Sequence, residues 1–292
     1  MKLFIPIAIL VVLLLLSGCF QPSEGDNETF KDYSQPLESS IDEGLNQSIV
    51  SNQSIDNLSN IEENKGYLIS SFYIQDFDSS KAEIPVIMNA IEDIVDDYDI
   101  VAIQGVYGDS VVLSKLNEIP NYNSRISVAY DRDRLVFLYS DRVIPGFVRT
   151  YESSIFKRKP YLMSFNINNY EFVLIQVYVD KLNAVNEIEE LSSVMDYANA
   201  EYGSIDKYVV GNLYADSLYY DGNVLEDYKV LIKDATMIQG NYTYDNILTS
   251  KTNYNIESSG VDNLSDEING DMDLLNAISS HYPIWMELSL DD

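Results

Sequence analysis

The sequence predicts an α/β sandwich: mixed β-sheets packed together with helices outside. Three observations carry that prediction. Strand-like apolar runs dominate from Gly66 onward, and helical periodicity interrupts them in the order β-α-β-α-β-β-β-β-β-α-β, with more strands after that. No internal repeat or second core divides the span, so Gly66–Leu290 reads as one domain. The chain has 292 residues and 46% hydrophobic content, ample for one sizeable core.

Tyr67–Ile74 opens the domain as a β-rich apolar run. Ile84, Ile87, Met88, Ile91, Ile94 and Val95 then repeat at the spacing of one helix face, which predicts a helix over Ile84–Val95. Asp99–Ile103 is a short buried strand, and Ser110–Glu118 a second helix. Five strands follow, at Arg125–Tyr130, Arg134–Tyr139, Phe147–Tyr151, Tyr161–Ile167 and Phe172–Val179. Ala184–Tyr202 is a longer helix with an apolar face of Val185, Ile188, Leu191, Val194, Met195 and Ala198. Tyr208–Gly211, Tyr244–Leu248, Asn255–Ser258 and Ile284–Leu290 complete the strands.

The segment before the domain has a different character. Lys2 precedes the 14-residue apolar run Leu3–Leu16, and Leu16-Ser17-Gly18-Cys19 follows. The run is shorter than the roughly 20 residues that span a bilayer, and it meets a small-residue cleavage site that resembles a prokaryotic lipobox. Residues 1–18 are therefore expected to be a lipoprotein signal peptide, and Cys19 the lipidated N-terminus. An uncleaved membrane anchor is the alternative. Cys19 is the only cysteine, so the mature domain is expected to hold no disulfide. Residues 19–65 lack apolar periodicity and are rich in Ser, Asn, Asp and Glu, which predicts a disordered tether. The tether carries N-x-S/T sequons at Asn27, Asn46, Asn52 and Asn57, with two more in the domain at Asn241 and Asn263. These features point to an exported chain on the outer face of the cytoplasmic membrane or the cell surface, and the clustered sequons lean towards an archaeal one. The expected partners are the membrane, through Cys19, and a surface ligand or protein of unknown identity.

A formal net charge of −29, from 47 Asp and Glu against 18 Lys and Arg, disfavours nucleic acid as a partner. The one local cationic concentration is Lys157-Arg158-Lys159, with Arg132, Arg134, Arg142 and Arg149 nearby. It reads either as a phosphate or polyanion patch or as strand-edge charges that oppose pairing. The single histidine is His281. Its side chain is the one whose ordinary pKa lies near neutrality, so acid–base chemistry would be expected to use it.

Five stretches in order, Ser71–Phe77, Tyr98–Val106, Leu174–Leu191, Val209–Asp216 and Ala277–Ile284, resemble the deoxyribonuclease I-like endonuclease/exonuclease/phosphatase superfamily. Thr243–Leu248 and the pair of strands around Arg134–Val143 also fit. The resemblance implies a four-layered α/β sandwich with the site at one edge, and metal-assisted cleavage of phosphodiesters or phosphomonoesters. In that family a Glu ending the second strand binds Mg²⁺, aided by an Asn of the first strand. A His and an Asp–His pair surround the scissile phosphate, and an Asp orients the attacking water.

Position by position, the resemblance implies a degenerate site. Tyr73 stands for the Asn, Gly105 for the metal-binding Glu and Tyr178 for the middle-strand His. Asn212 stands for the water-orienting Asp, Tyr214 for the Asn after it, and Ser280 for the Asp before the terminal His. His281 is the remnant, with Asp245 and Asp133 as supporting matches. Loss of a cooperating set costs orders of magnitude in rate, so a pseudoenzyme is expected, used for binding or as a structural module. His281 is expected to have lost its charged partner, since Ser280 cannot hold an imidazolium as a carboxylate does. No cofactor and no metal site is expected. Asp109, Asp180, Asp216 and Asp245 are candidate ligands, but no spacing joins them. Mg²⁺ or Ca²⁺ enters only in the alternative reading, a divergent extracellular nuclease or phosphodiesterase that keeps His281. Tyr73, Tyr178 and Tyr214 have two readings: rings that fill the old cleft, or rings that line a pocket for a sugar or peptide.

Overall fold

The computed structural model describes residues 66–214, 228–250, 255–264 and 267–290. The expected signal peptide, the lipidation position Cys19, the tether with Asn27, Asn46, Asn52 and Asn57, and Asp216 lie outside the described residues.

Two six-stranded mixed sheets form the middle of the domain. The first contains β1 (Tyr67–Phe77), β2 (Ile100–Tyr107), β3 (Tyr122–Ile126), β4 (Asp133–Ser140), β11 (Ile256–Val261) and β12 (Ile284–Leu288), in the order β11-β12-β1-β2-β4-β3. The second contains β5 (Ile144–Thr150), β6 (Tyr161–Ile167), β7 (Tyr170–Tyr178), β8 (Asp206–Asn212), β9 (Tyr228–Val230) and β10 (Asp245–Ser250), in the order β5-β6-β7-β8-β10-β9. Each sheet has one parallel pair at its centre, β1–β2 and β7–β8, and antiparallel neighbours elsewhere. A parallel pair needs a crossover. Helices α1 (Ser79–Ala82) and α2 (Pro85–Asp96) supply the first, and α4 (Ala184–Glu189) and α5 (Leu191–Tyr202) the second. Helices α3 (Ser110–Asn117) and α6 (Met272–Ile278) complete the first outer layer.

Three apolar layers hold the sandwich together, as a four-layered architecture requires. Ile69, Ile100, Ala102 and Phe137 of the first sheet meet Phe165, Leu174, Tyr208 and Ile247 of the second. Ile87, Met88, Ile91, Ile94 and Val95 of α2 cover the outer face of the first sheet. Ile188, Leu191, Val194, Met195 and Ala198 cover that of the second. Central strands are therefore apolar on both faces, which is why β2 and β7 read as continuous runs.

The structure departs from the sequence reading in several places. The helix expected over Ala184–Tyr202 divides at Glu190, whose φ −70° and ψ −13° tighten the turn. The strand expected over Arg125–Tyr130 runs over Tyr122–Ile126 instead. At Ser127 the hydroxyl takes the place of the carbonyl in accepting the Leu135 amide, while its own amide still donates to the Leu135 carbonyl, and Asp131 turns the chain at φ 54°. Helices α1 and α6 were not anticipated; each is short and starts from an aspartate cap, Asp78 and Asp271. Strand β9 has three residues, too few to show a period. Among the described residues no helix is long and apolar enough to cross a membrane.

Glu187 is fully buried and holds two loops at once. Its carboxylate accepts the Lys157 amide at 3.0 Å and the Asp180 amide at 2.9 Å, while burial pushes its pKa above the usual carboxylate range. Replacing Glu187 by Ala should leave both amides without a partner and cost about 2–4 kcal/mol in chemical denaturation. Glu187→Gln, which keeps one acceptor, should cost less. Burial also lifts the Tyr161 and Tyr170 phenols to about 12, with the Asp206 carboxylate adding to the effect at Tyr170. Below pH 10 these phenols are protonated in both folded and unfolded chains. Between pH 10 and about 12 the unfolded chain releases their protons first, so stability should fall as pH rises through that window. Denaturation curves recorded from pH 8 to 12 check this.

Candidate functional site

The C-terminal ends of both central parallel pairs reach the same edge of the sandwich, and the expected site residues sit there. Tyr73 of β1 lies beside Gln104 of β2; beyond that point β1 spends four residues where β2 spends two. Gly105 sits in this irregular stretch at φ 78°. A Cβ on it would lie 2.2 Å from the Ile74 carbonyl oxygen and 2.8 Å from Cε2 of Tyr73. The backbone conformation and the space both require glycine. In the second sheet Tyr178, Asn212 and Asp245 form one row across β7, β8 and β10. Gly211, at φ 138°, lets β8 approach the Val177 carbonyl closely.

His281 enters from the turn between α6 and β12. The Ser279 hydroxyl accepts the His281 amide at 2.8 Å and lies 2.6 Å from the Tyr73 carbonyl, to which it donates, fixing this turn against β1. The imidazole is 5% exposed, and its Nδ1 lies 2.6 Å from Oδ2 of Asp245. The same carboxylate oxygen accepts the Thr236 hydroxyl at 2.9 Å. Thr236 Oγ1 in turn accepts the amides of Tyr244 and Asp245, at 3.0 and 3.1 Å. Nδ1 is the imidazole nitrogen that faces the Asp245 carboxylate. This corrects the expectation that His281 had lost its charged partner. Ser280 does not replace that partner; its carbonyl accepts the Ile238 amide. The carboxylate comes from the opposite sheet.

The tyrosines form a continuous wall over this pair. Ring centroids run from Tyr178 to Tyr73 at 5.6 Å, from Tyr73 to His281 at 4.7 Å, and from His281 to Tyr244 at 6.2 Å. Tyr244 contacts Tyr214 at 4.7 Å and stacks on Tyr242 at 5.5 Å. Burial raises the phenol pKa of Tyr73, Tyr178 and Tyr214, so all three stay neutral over the physiological range. Tyr214 adopts φ 46°, supported by the Asn212 side chain, which accepts its amide at 3.3 Å. The rings pack on one another, the arrangement of the cleft-filling reading. At the far end the Arg158 guanidinium lies 3.8 Å from the centre of the Tyr178 ring. It pairs with Asp133 and approaches Asp180 at 3.9 Å.

Several sequence candidates are brought together and others are not. Asp133 serves Arg158, not His281. Lys157 pairs with Asp180 and Lys159 with Glu152, so the cationic run is largely neutralised within the fold instead of forming an open polyanion patch. Asp109 caps α3 by accepting from Val111 and Val112, and Asp180 and Asp245 are engaged as described. Among the described residues the carboxylates that do converge are Asp97, Asp262 and Glu267, none of them a sequence candidate. Sequons Asn241 and Asn263 are exposed. Thr236, Tyr244 and Ser279 were missed as site residues, and Arg158 was read only as part of the cationic run. The alternation Tyr242-Thr243-Tyr244 was a usable signal for the aromatic wall, whereas nothing local marked Thr236.

The residues at the cation position that the resemblance implies do not fit Mg²⁺. A hard divalent ion needs carboxylate or carbonyl oxygens. Here Gly105 offers no side chain, Tyr73 covers it with a ring, and Asn212 is turned to its own backbone.

No protein-family model and no curated protein matches the sequence. Solved structures match the fold. A functionally unknown conserved protein from Enterococcus faecalis superposes with a TM-score of 0.61 at 11% identity, over 77% of this chain and 100% of that one. A mannosyl-6-phosphatase from Bacteroides thetaiotaomicron gives 0.57 at 12%, over 77% and 100%. An endonuclease/exonuclease/phosphatase family protein from the same organism gives 0.56 at 13%, over 78% and 98%. The architecture is the DNase I-like α/β sandwich.

Placing a carboxylate at position 105 should fail. Gly105→Glu is expected to cost at least about 2 kcal/mol in urea denaturation, because a side chain there meets both strain and a carbonyl, and to create no Mg²⁺ binding by calorimetry. His281→Ala should cost about 2–4 kcal/mol, since it leaves Asp245 buried with Thr236 alone.

Proposed function

We propose, for this chain with the DNase I-like sandwich, that it is a surface-anchored lipoprotein whose domain no longer performs metal-assisted phosphoester cleavage. It acts as a binding or structural module. The observation that supports this most directly is Gly105: the metal-ligand position holds a residue whose backbone geometry excludes any side chain. The tyrosine wall adds to it, because it leaves the only histidine 5% exposed. A phosphate reaching Nε2 would have to displace Tyr73 or Tyr244. No cofactor belongs to this reading. The lipobox and the acidic tether support anchoring at the outer face of the membrane. The partner is a surface ligand or protein, with nucleic acid disfavoured by the charge of −29.

A second reading, a divergent extracellular phosphohydrolase, draws on one specific observation. The Asp245–His281 pair at 2.6 Å has the arrangement of an oriented general base, with Thr236 holding the carboxylate. Mg²⁺ or Ca²⁺ belongs to this reading only.

Incubation of the full chain with DNA, RNA and a generic phosphodiester in Mg²⁺ or Ca²⁺ separates the two. The expected result is no turnover above that of His281→Ala. Divalent-dependent cleavage that disappears in His281→Ala overturns the first reading and establishes the second.

A further inference from the structure

The loop between β9 and β10 carries a motif that the site does not use. Residues 236–242 are pinned to the histidine turn: the Ile238 amide donates to the Ser280 carbonyl at 3.0 Å, and the Tyr282 amide to the Thr236 carbonyl at 2.8 Å. The loop closes on itself where the Tyr242 carbonyl accepts the amides of Thr236 and Met237, at 2.9 and 3.2 Å. Gln239, Gly240 and Asn241 form its exposed apex. Glycine is required at 240, since φ is 98° and a Cβ would lie 2.9 Å from Cδ2 and Cε2 of the Tyr242 ring.

Asn241 opens Asn241-Tyr242-Thr243, an N-x-T sequon. Among the described residues nothing hydrogen-bonds its carboxamide, whereas Asn263, the other sequon asparagine of the domain, is engaged within the fold. A bulky group on Nδ2 of Asn241 therefore displaces no contact. The next residue gives such a group a surface to lie on. Tyr242 is 42% exposed, and one face of its ring stacks on Tyr244, which in turn approaches His281. The free part of the ring offers an apolar face at one end of the tyrosine wall.

We infer that Asn241 carries an N-linked glycan that covers this end of the tyrosine wall. The inference rests on the exported reading, because the transfer takes place outside the cytoplasm. The donor is a lipid-linked glycosyl phosphate. A bond forms between Nδ2 and the sugar C1 as the C1–O bond to phosphate breaks; Nδ2 gives up one proton, and the carrier phosphate leaves with the electron pair. In the folded chain the Thr243 hydroxyl donates to the Asp234 carbonyl at 2.9 Å. The sequon hydroxyl is thus presented to a transferase before this loop closes. Once attached, the glycan screens the wall from macromolecules.

The test uses the full chain produced in an archaeal host that glycosylates N-x-S/T sequons on export. Cell fractionation and the mass of the N-terminal fragment report export and processing. Trypsin cleavage after Lys233 and Lys251 releases one fragment holding both Asn241 and Asn246. Asn246, which is 1% exposed and outside any sequon, is the internal control. The expected result is a glycan mass on Asn241 and none on Asn246. Asn241→Gln and Thr243→Val should lose that mass, and Thr243→Ser should keep it. Hydroxyl-radical labelling of Tyr242 should be weaker in the glycosylated chain than in Asn241→Gln. An exported chain that is bare at Asn241, or modified only at other sequons, overturns the inference and leaves the anchor standing. A chain retained in the cytoplasm and bare at Asn241 overturns both the inference and the exported reading. A chain that keeps residues 1–18 yet carries the glycan supports the inference and replaces lipidation with an uncleaved anchor. A glycan on Asn241 that leaves Tyr242 labelling unchanged overturns the cover.

Discussion

A buried imidazole–carboxylate contact joins the two sheets where their central strands end, and the rest of the site depends on it. His281 approaches along the first sheet and Asp245 begins β10 of the second, so their 2.6 Å contact crosses the sandwich. Gln176 makes a parallel connection deeper in, donating to the Ile103 carbonyl at 2.7 Å. Between apolar faces such polar contacts fix one relative placement of the sheets, because misplacement would strand buried donors and acceptors. Thr236 and Ser279 extend the network to a loop of the second sheet and to the backbone of β1. The tyrosine wall rests on this frame.

The same frame buries His281. Gly105 lies in a close backbone approach, where a Cβ would sit 2.2 Å from the Ile74 carbonyl oxygen and against the Tyr73 ring. Asn212 supports its own loop, and Arg158 supplies a fixed cation among Asp133, Asp180 and Tyr178. His281 closes the junction between the sheets, and its removal would leave Asp245 with Thr236 alone in the interior.

Much of the fold was legible in the sequence, and the reasons are specific. Central strands β1, β2, β6, β7 and β8 are apolar on both faces, so their runs stand out, and α2 shows its buried face through Ile87, Met88, Ile91, Ile94 and Val95. Short elements were less legible: α1, α6 and β9 have too few residues to display a period, and their starts are set by caps and neighbours. The site was legible in its positions, because Tyr73, Gly105, Tyr178, Asn212, Tyr214 and His281 do gather at one edge. Its bonding was not.

By itself the sequence determined the order of the long strands and helices and the absence of a carboxylate at position 105. Those features are written in local apolar periodicity and in side-chain identity. Only the tertiary structure decided that His281 faces Asp245 instead of standing without a charged partner. Those residues are 36 positions apart on different sheets, and only sheet packing sets their distance. It also decided that Lys157, Arg158 and Lys159 are spent on Asp180, Asp133 and Glu152, and that the tyrosines pack against each other. Pairing across space depends on strand register and on how two twisted sheets meet, and no local pattern of residues carries that information.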